Sequence, residues 1–121
     1  MPDHIADKVF GIVERHSGRP STRFKDLIDL VAIRDQCRVD AAATQVALDQ
    51  EAQRRGLELP KRFDVPDPEL WKRGYAAEAK RTVGLTPLSL EDALNVARPF
   101  LNPLLEGTAE GTWEPTAGRW S

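Results

Sequence analysis

The sequence predicts an all-α fold of about five helices, closed by an irregular C-terminal tail that carries two of its three tryptophans. Three observations predict it. Apolar residues recur at helical rather than alternating spacing in five separate stretches. Residues that cap or stop helices (Asp, Ser, Gly and Pro) stand between those stretches. No run of alternating β-branched residues, internal repeat or low-complexity segment occurs in the 121 residues.

The first helix is expected over residues 3–16, with Asp3 as cap and Ile5, Val9, Ile12 and Val13 as its apolar stripe. Lys8 lies on the border of that stripe. Its stem can cover apolar surface while its ammonium stays wet, or the ammonium can serve as a phosphate-binding cation. Ser17-Gly18-Arg19-Pro20 then stops the helix and turns the chain. A connection this short predicts that the second helix packs antiparallel to the first.

That second helix, 22–34 behind a Ser21 cap, is apolar on more sides than a small protein needs. Phe24, Leu27, Ile28 and Val31 form one stripe, enough to bury it against a neighbour. Leu30 and Ile33 lie on the far side, with Asp26 and Asp29 between them. This second face is expected to meet something beyond the chain, with the two acids at work there. The alternative is plain: acids at helical spacing are usually solvated, and single exposed Leu and Ile residues are common.

Asp40 caps a third helix that runs to Arg55 and stops at Gly56, with Ala43, Val46 and Ala47 as its small inner positions. Leu57–Pro66 is a basic connector bracketed by prolines. Asp67-Pro68 starts a fourth helix, cap then proline, on which Trp71 and Tyr75 stand one turn apart as core rather than as a platform for bases. Thr86-Pro87-Leu88 breaks the chain. Ser89 caps a fifth helix with Asp92 near the capping-box place, and Ala93, Val96, Ala97, Phe100 and Leu101 form its apolar side. Pro99 is expected to bend or interrupt it and Pro103 to end it. Beyond that, Trp113 and Trp120 should pack back on the helices.

The totals bound a single domain of ordinary soluble composition, 40% hydrophobic and 30% charged, with a net charge of −2. That balance gives no general attraction to nucleic acid, although Arg54, Arg55, Lys61, Arg62, Lys72, Arg73, Lys80 and Arg81 make the middle locally basic. Such a middle can face phosphate; solvated helix faces are the commoner explanation. A lone Cys37 excludes an internal disulfide and a Cys-rich zinc site. No membrane span or signal-peptide core is present, so a cytoplasmic location and no membrane partner are expected. Gly-rich phosphate loops and nucleophile elbows are missing, and His4 and His16 are too far apart to share a metal, so no metal ligands are assigned.

An ordered set of segments goes further: Ala6-Asp7-Lys8, then Ser21–Leu30 (STRFKDLIDL), Ala47-Leu48, Glu51–Gly56 (EAQRRG), Trp71 and Tyr75, Arg98–Gly107 (RPFLNPLLEG), and Trp113-Glu114-Pro115 with Trp120. In that order, over nearly the whole chain, they resemble the AbiEii/AbiGii family, nucleotidyltransferase toxins of type IV toxin–antitoxin and abortive-infection systems. The resemblance implies a nucleotidyltransferase domain followed by a helical C-terminal half. In that family two early motifs, a Gly-Ser turn with nearby acids and an acidic strand, bind metal and nucleotide, and two later ones supply a lysine and an aspartate.

By this resemblance Lys8 matches the lysine and Asp26 the aspartate as catalytic groups, with Arg23, Lys25 and Asp29 binding nucleotide or supporting them. The early motifs have no counterpart in the sequence. Residues 1–121 are therefore expected to be one helical domain, the C-terminal half of such a toxin without its catalytic N-terminal domain, from a truncated, split or internally started gene. Mg2+ and a nucleoside triphosphate (NTP) would then serve only a completed enzyme, with no cofactor for this chain alone. The expected partners are the missing nucleotidyltransferase domain, an antitoxin and a tRNA acceptor. The competing readings are a non-catalytic helical module that binds tRNA or an antitoxin, and an inactive gene remnant.

Overall fold

The structure, a computed structural model, describes residues 1–82 and 87–121. Among these residues five helices form around one core: α1 (Pro2–Val13), α2 (Phe24–Gln36), α3 (Ala41–Arg55), α4 (Pro68–Arg81) and α5 (Leu90–Glu106). Three short strands, β1 (Val39–Asp40), β2 (Thr112–Glu114) and β3 (Arg119–Trp120), make an antiparallel sheet in the order β1-β2-β3. The fold is thus mostly helical but not purely all-α. Strands of two or three residues are too short to leave an alternation in the sequence, and part of the tail read as irregular is a hairpin.

α1 is shorter than expected. Pro2, whose missing N–H costs nothing in the first turn, opens it behind Met1, and Asp3 sits inside that turn without capping. The helix ends where Glu14 turns extended. His16 and Arg19 then exchange two backbone hydrogen bonds, 3.1 and 3.0 Å, across Ser17 and Gly18, both in the left-handed region. Two such residues in a row make a tight reversal for which glycine is suited.

Ser21 does not cap α2. Its hydroxyl donates to the Ile12 carbonyl at 2.6 Å, and the Trp71 indole donates to the Ser21 carbonyl at 2.9 Å. α2 starts later, at Phe24, with no side-chain cap. Ile12 pairs with Ser21 just before α2 and Lys8 with Asp29 within it, the descending order of antiparallel neighbours.

The second face of α2 is covered by this chain itself. α2 packs on α1, α4 and α5; Leu30 is 0% exposed, and Ile33 is half-buried against the core. Among the described residues the exposed large apolar side chains are Met1, Val46, Leu57 and Leu88, none of them on α2. No apolar patch is left there for a partner. Leu30 and Ile33 belong to the core of a helix held on several sides.

The Asp40 carboxylate accepts from Ala43 N at 2.8 Å, and Gly56 closes α3 in the left-handed region. Its buried face is Ala41, Thr44, Ala47, Leu48, Glu51 and Ala52, while Ala43 and Val46 face outward, Val46 at 54% exposure. Two polar residues hid that face. Thr44 satisfies its hydroxyl on the Asp40 carbonyl at 2.7 Å, and Glu51 is paired with Arg54 and Arg55.

Asp67 and Ser89 cap α4 and α5, accepting from Leu70 N and Asp92 N. Trp71 and Tyr75 are both fully buried, and burial pushes the Tyr75 phenol up to about 12. Its hydroxyl donates to the Pro87 carbonyl at 2.7 Å; Thr86, in the break expected at 86–88, lies outside the described residues. α5 runs through both Pro99 and Pro103 to Glu106. The prolines are four apart and outside the buried stripe, Pro99 exposed and Pro103 half-buried.

α2 and α4 meet closely at Phe24, whose ring stands edge-on to Trp71 at 4.8 Å between centroids. A Cβ on Gly74 would overlap that ring. Gly74→Ala is therefore expected to destabilise the protein by about 1–3 kcal/mol, despite the better helix former. A denaturant midpoint at or above that of the native protein would contradict the close packing.

Candidate functional site

The charged side chains shared by α1 and α2 form one network. Lys8 Nζ donates to Asp29 Oδ2 at 3.0 Å and lies 3.6 Å from Asp26 Oδ1. Lys25, one turn before Asp29 on the same helix, reaches its other oxygen at 3.1 Å. Arg23 places Nη2 at 2.8 Å from Asp26 Oδ2. All five residues singled out in the sequence are thus brought together, although Lys8 comes from a different helix.

The network extends past them. Arg23 Nη2 is 3.8 Å from Asp7, and Asp7 pairs with Arg55 at 2.9 Å. Arg55, at the end of α3, also holds Glu14 at 2.8 Å and Glu51 at 2.7 Å. Sequence reading missed Asp7, Glu14, Glu51 and Arg55 as members. The Glu51–Arg55 spacing of four was the one signal available, and it is common on helix surfaces. Between the network and the turn lies a cleft of about 520 Å³ lined by Gly11, Glu14, Ser21, Thr22, Arg23 and Arg55, among others.

The electrostatics separate the acids. Burial alone would raise Asp29, but hydrogen bonds from Lys8 and Lys25 outweigh it and hold the carboxyl below its ordinary value. Burial likewise works against charged Lys8, and the pairing with Asp29 and Asp26 overrides it, so its ammonium is held above its ordinary value. Glu51 is lowered by its hydrogen bond from Arg55. Asp26 is the exceptional member, only 7% exposed. Its Oδ2 meets Arg23 charge to charge at 2.8 Å but without hydrogen-bond alignment, so it has no donor among the described residues. A buried carboxylate oxygen with unused accepting capacity is uncommon in folded proteins.

A pH dependence follows for the Lys8–Asp29 pair. Folding lowers Asp29, so its contribution is complete above the ordinary value of 3.8 and disappears as pH falls through the lower folded value. Folding raises Lys8, so its contribution is complete below 10.5 and is lost only as pH climbs through the higher folded value. Asp29→Asn should cost about 1 kcal/mol or less at neutral pH, because both groups are partly exposed. The deficit should shrink as pH falls below 3.8 and vanish once the lower folded value is passed. Denaturation curves of both proteins across that range check it; a deficit independent of pH would exclude the pair as its source.

Among the described residues no three His, Cys, Asp or Glu side chains converge in a way that could hold a metal ion. Asp26 and Asp29 already face cations, so the residues present do not fit an Mg2+ cage by themselves. What they offer is a cationic edge at Lys8 and Lys25 beside a carboxylate, Asp26, whose donor-free oxygen is enclosed next to Arg23.

A family model described as "Nucleotidyl transferase AbiEii toxin, Type IV TA system" matches residues 1–96. The chain belongs to the AbiEii family. No curated protein and no solved structure matches it. The AbiEii match takes in α1 to α4, the start of α5 and every residue of the charged network. It ends before the Arg98–Gly107 segment and the tryptophan tail, so family likeness is shown for less of the chain than the ordered segments suggested. No described helix is long and apolar enough to cross a membrane.

Proposed function

We infer that this AbiEii-family chain supplies the phosphate-handling and proton-accepting half of a nucleotidyltransferase-like toxin, and acts when a metal-binding nucleotidyltransferase domain completes it. The observation that carries this reading is Asp26, nine-tenths buried between Lys8 and Arg23 with one oxygen lacking a donor. In the transfer step an acceptor hydroxyl bonds to the α-phosphorus of an NTP, pyrophosphate leaves, and the hydroxyl proton passes to Asp26. Lys8 neutralises phosphate charge, held by Asp29, which Lys25 in turn balances. Arg23, 2.8 Å from Asp26 Oδ2, holds the carboxylate in place. Mg2+ would supply charge neutralisation on the triphosphate from ligands outside these 121 residues.

A tRNA end is the acceptor we favour, with an antitoxin as the toxin's partner, in keeping with a type IV system, and the cytoplasm as the place of action. The test is incorporation of labelled nucleotide into tRNA. The 121-residue chain alone should give none. Co-expressed with a nucleotidyltransferase domain of the family it should give incorporation that Lys8→Ala abolishes. Incorporation by the isolated chain, or a completed protein indifferent to Lys8→Ala, would overturn the assignment.

One observation favours a second reading, an RNA-binding module without catalysis. Lys72, Arg73 and Lys80 are exposed on α4 with no ion pair among the described residues. Salt-dependent tRNA binding by the isolated chain, weakened by Lys72→Ala and Arg73→Ala, would support it.

A further inference from the structure

Gly11 sits in the last turn of α1, fully helical and buried, where glycine is disfavoured relative to alanine. It makes no turn and has no left-handed backbone, so conformational need does not explain it. What it meets does. A Cβ built there would lie 3.0 Å from Arg23 Cζ, 3.0 Å from Arg23 Nη1 and 3.0 Å from Asp26 Oδ2. Its bare backbone is therefore in contact with both halves of the ion pair that holds the buried carboxylate. The neighbours of Gly11 on α1, Val9, Phe10 and Ile12, are all apolar and buried. A glycine in that row lets a charged pair be seated against the helix.

We propose that Gly11 is a positioning residue for Asp26. The groove it leaves on α1 sets the Arg23 guanidinium against the carboxylate at 2.8 Å. This rests on the reading of Asp26 as the proton acceptor. A methyl group at position 11 would sit 3.0 Å from both partners, so one of them must give by a few tenths of an ångström. Asp26 is short and 7% exposed, whereas the Arg23 side chain is long and 49% exposed. Arg23 therefore gives way, and its contact with Asp26 is loosened while the fold remains. The three atoms nearest that Cβ belong to Arg23 and Asp26, and the Lys8–Asp29 pair at 3.0 Å is not among them.

The experiment is side-chain NMR of the 15N-labelled 121-residue chain, reading the Arg23 Nε–H signal with that of Arg98 as control. In Gly11→Ala the Arg23 signal should move to where Asp26→Asn puts it, with Arg98 unmoved and the circular dichroism of the native protein retained. An Arg23 signal identical in native and Gly11→Ala protein overturns the proposal. If Gly11→Ala does not fold, Gly11→Ala/Arg23→Gln should, since the shorter side chain makes room; failure of that rescue also overturns it. In the completed enzyme, Gly11→Ala should lower kcat on the order of tenfold to a hundredfold with KM for the nucleotide unchanged. The double variant should be no worse than Arg23→Gln alone, whereas additive losses would overturn the shared mechanism. If the completed protein transfers no nucleotide at all, the reading of Asp26 fails, and the Arg23 signal still decides whether Gly11 seats the pair.

Discussion

Truncating Trp113 to alanine is expected to cost about 3–5 kcal/mol, roughly a fifth or more of the ~5–15 kcal/mol stability of a typical domain. Trp113 is fully buried and is the middle residue of the middle strand, paired with Val39 on β1 and Trp120 on β3. Its ring stands edge-on to Phe100 at 4.9 Å and to Trp120 at 5.5 Å, and its indole donates to the Arg34 carbonyl at 2.8 Å. The guanidinium of Arg34 lies 5.7 Å from the ring. One side chain thus ties the tail to the end of α2 and the middle of α5. Removing it leaves a large cavity, an unpaired carbonyl and a hairpin with no anchor. Urea unfolding measures the loss. A change below about 1 kcal/mol would mean that the sheet is an ornament on a self-sufficient helical core.

The parts of this fold that were legible in the sequence are those decided by local chemistry. Asp40, Asp67 and Ser89 cap helices because a short oxygen side chain beside a free backbone N–H needs no other partner. Ser21 has the same side chain as Ser89 and does not cap, because the Ile12 carbonyl lies within its reach. Only the tertiary fold decides that competition. The prolines of α5 illustrate the same limit. Their cost depends on whether the stranded carbonyls face water, which the run of residues does not state. Two strands of two residues carry no period to read.

The charged network was legible in five of its members and misread in its setting. Lys8, Arg23, Lys25, Asp26 and Asp29 do assemble, because helical spacing and a tight reversal fix their side of the pair. The apolar residues around the acids suggested a face waiting for a partner, whereas α4 and α5 pack on α2 as well and Leu30 is fully buried. The consequence is chemical. Asp26 is a buried carboxylate at the edge of a packed helix rather than a solvated one on an open face. Arg55 was missed because its contribution comes from 41 residues beyond Glu14, a separation that no local pattern carries.

Asp26→Asn should separate the role of that carboxylate in folding from its role in chemistry. A partly exposed acid could be neutralised for a kcal/mol or less, as expected from its helical position alone. At 7% exposure the cost rises, since breaking a buried pair leaves the other charge uncompensated. Two features limit it. Arg23 is about half exposed and can turn to water, and Lys8 keeps Asp29 at 3.0 Å. The expected loss is about 1–2 kcal/mol, short of the 3–5 for a fully enclosed pair. Helix content should therefore be retained, with a lower denaturant midpoint. Under the proposed role the same change would remove the proton acceptor of the completed enzyme, and transfer should then fall by about 10²–10⁴ with nucleotide affinity little altered. Stability that falls by more than about 3 kcal/mol while transfer is spared would make Asp26 a structural anion, held by Arg23 and Lys8 for the sake of the α1–α2 interface.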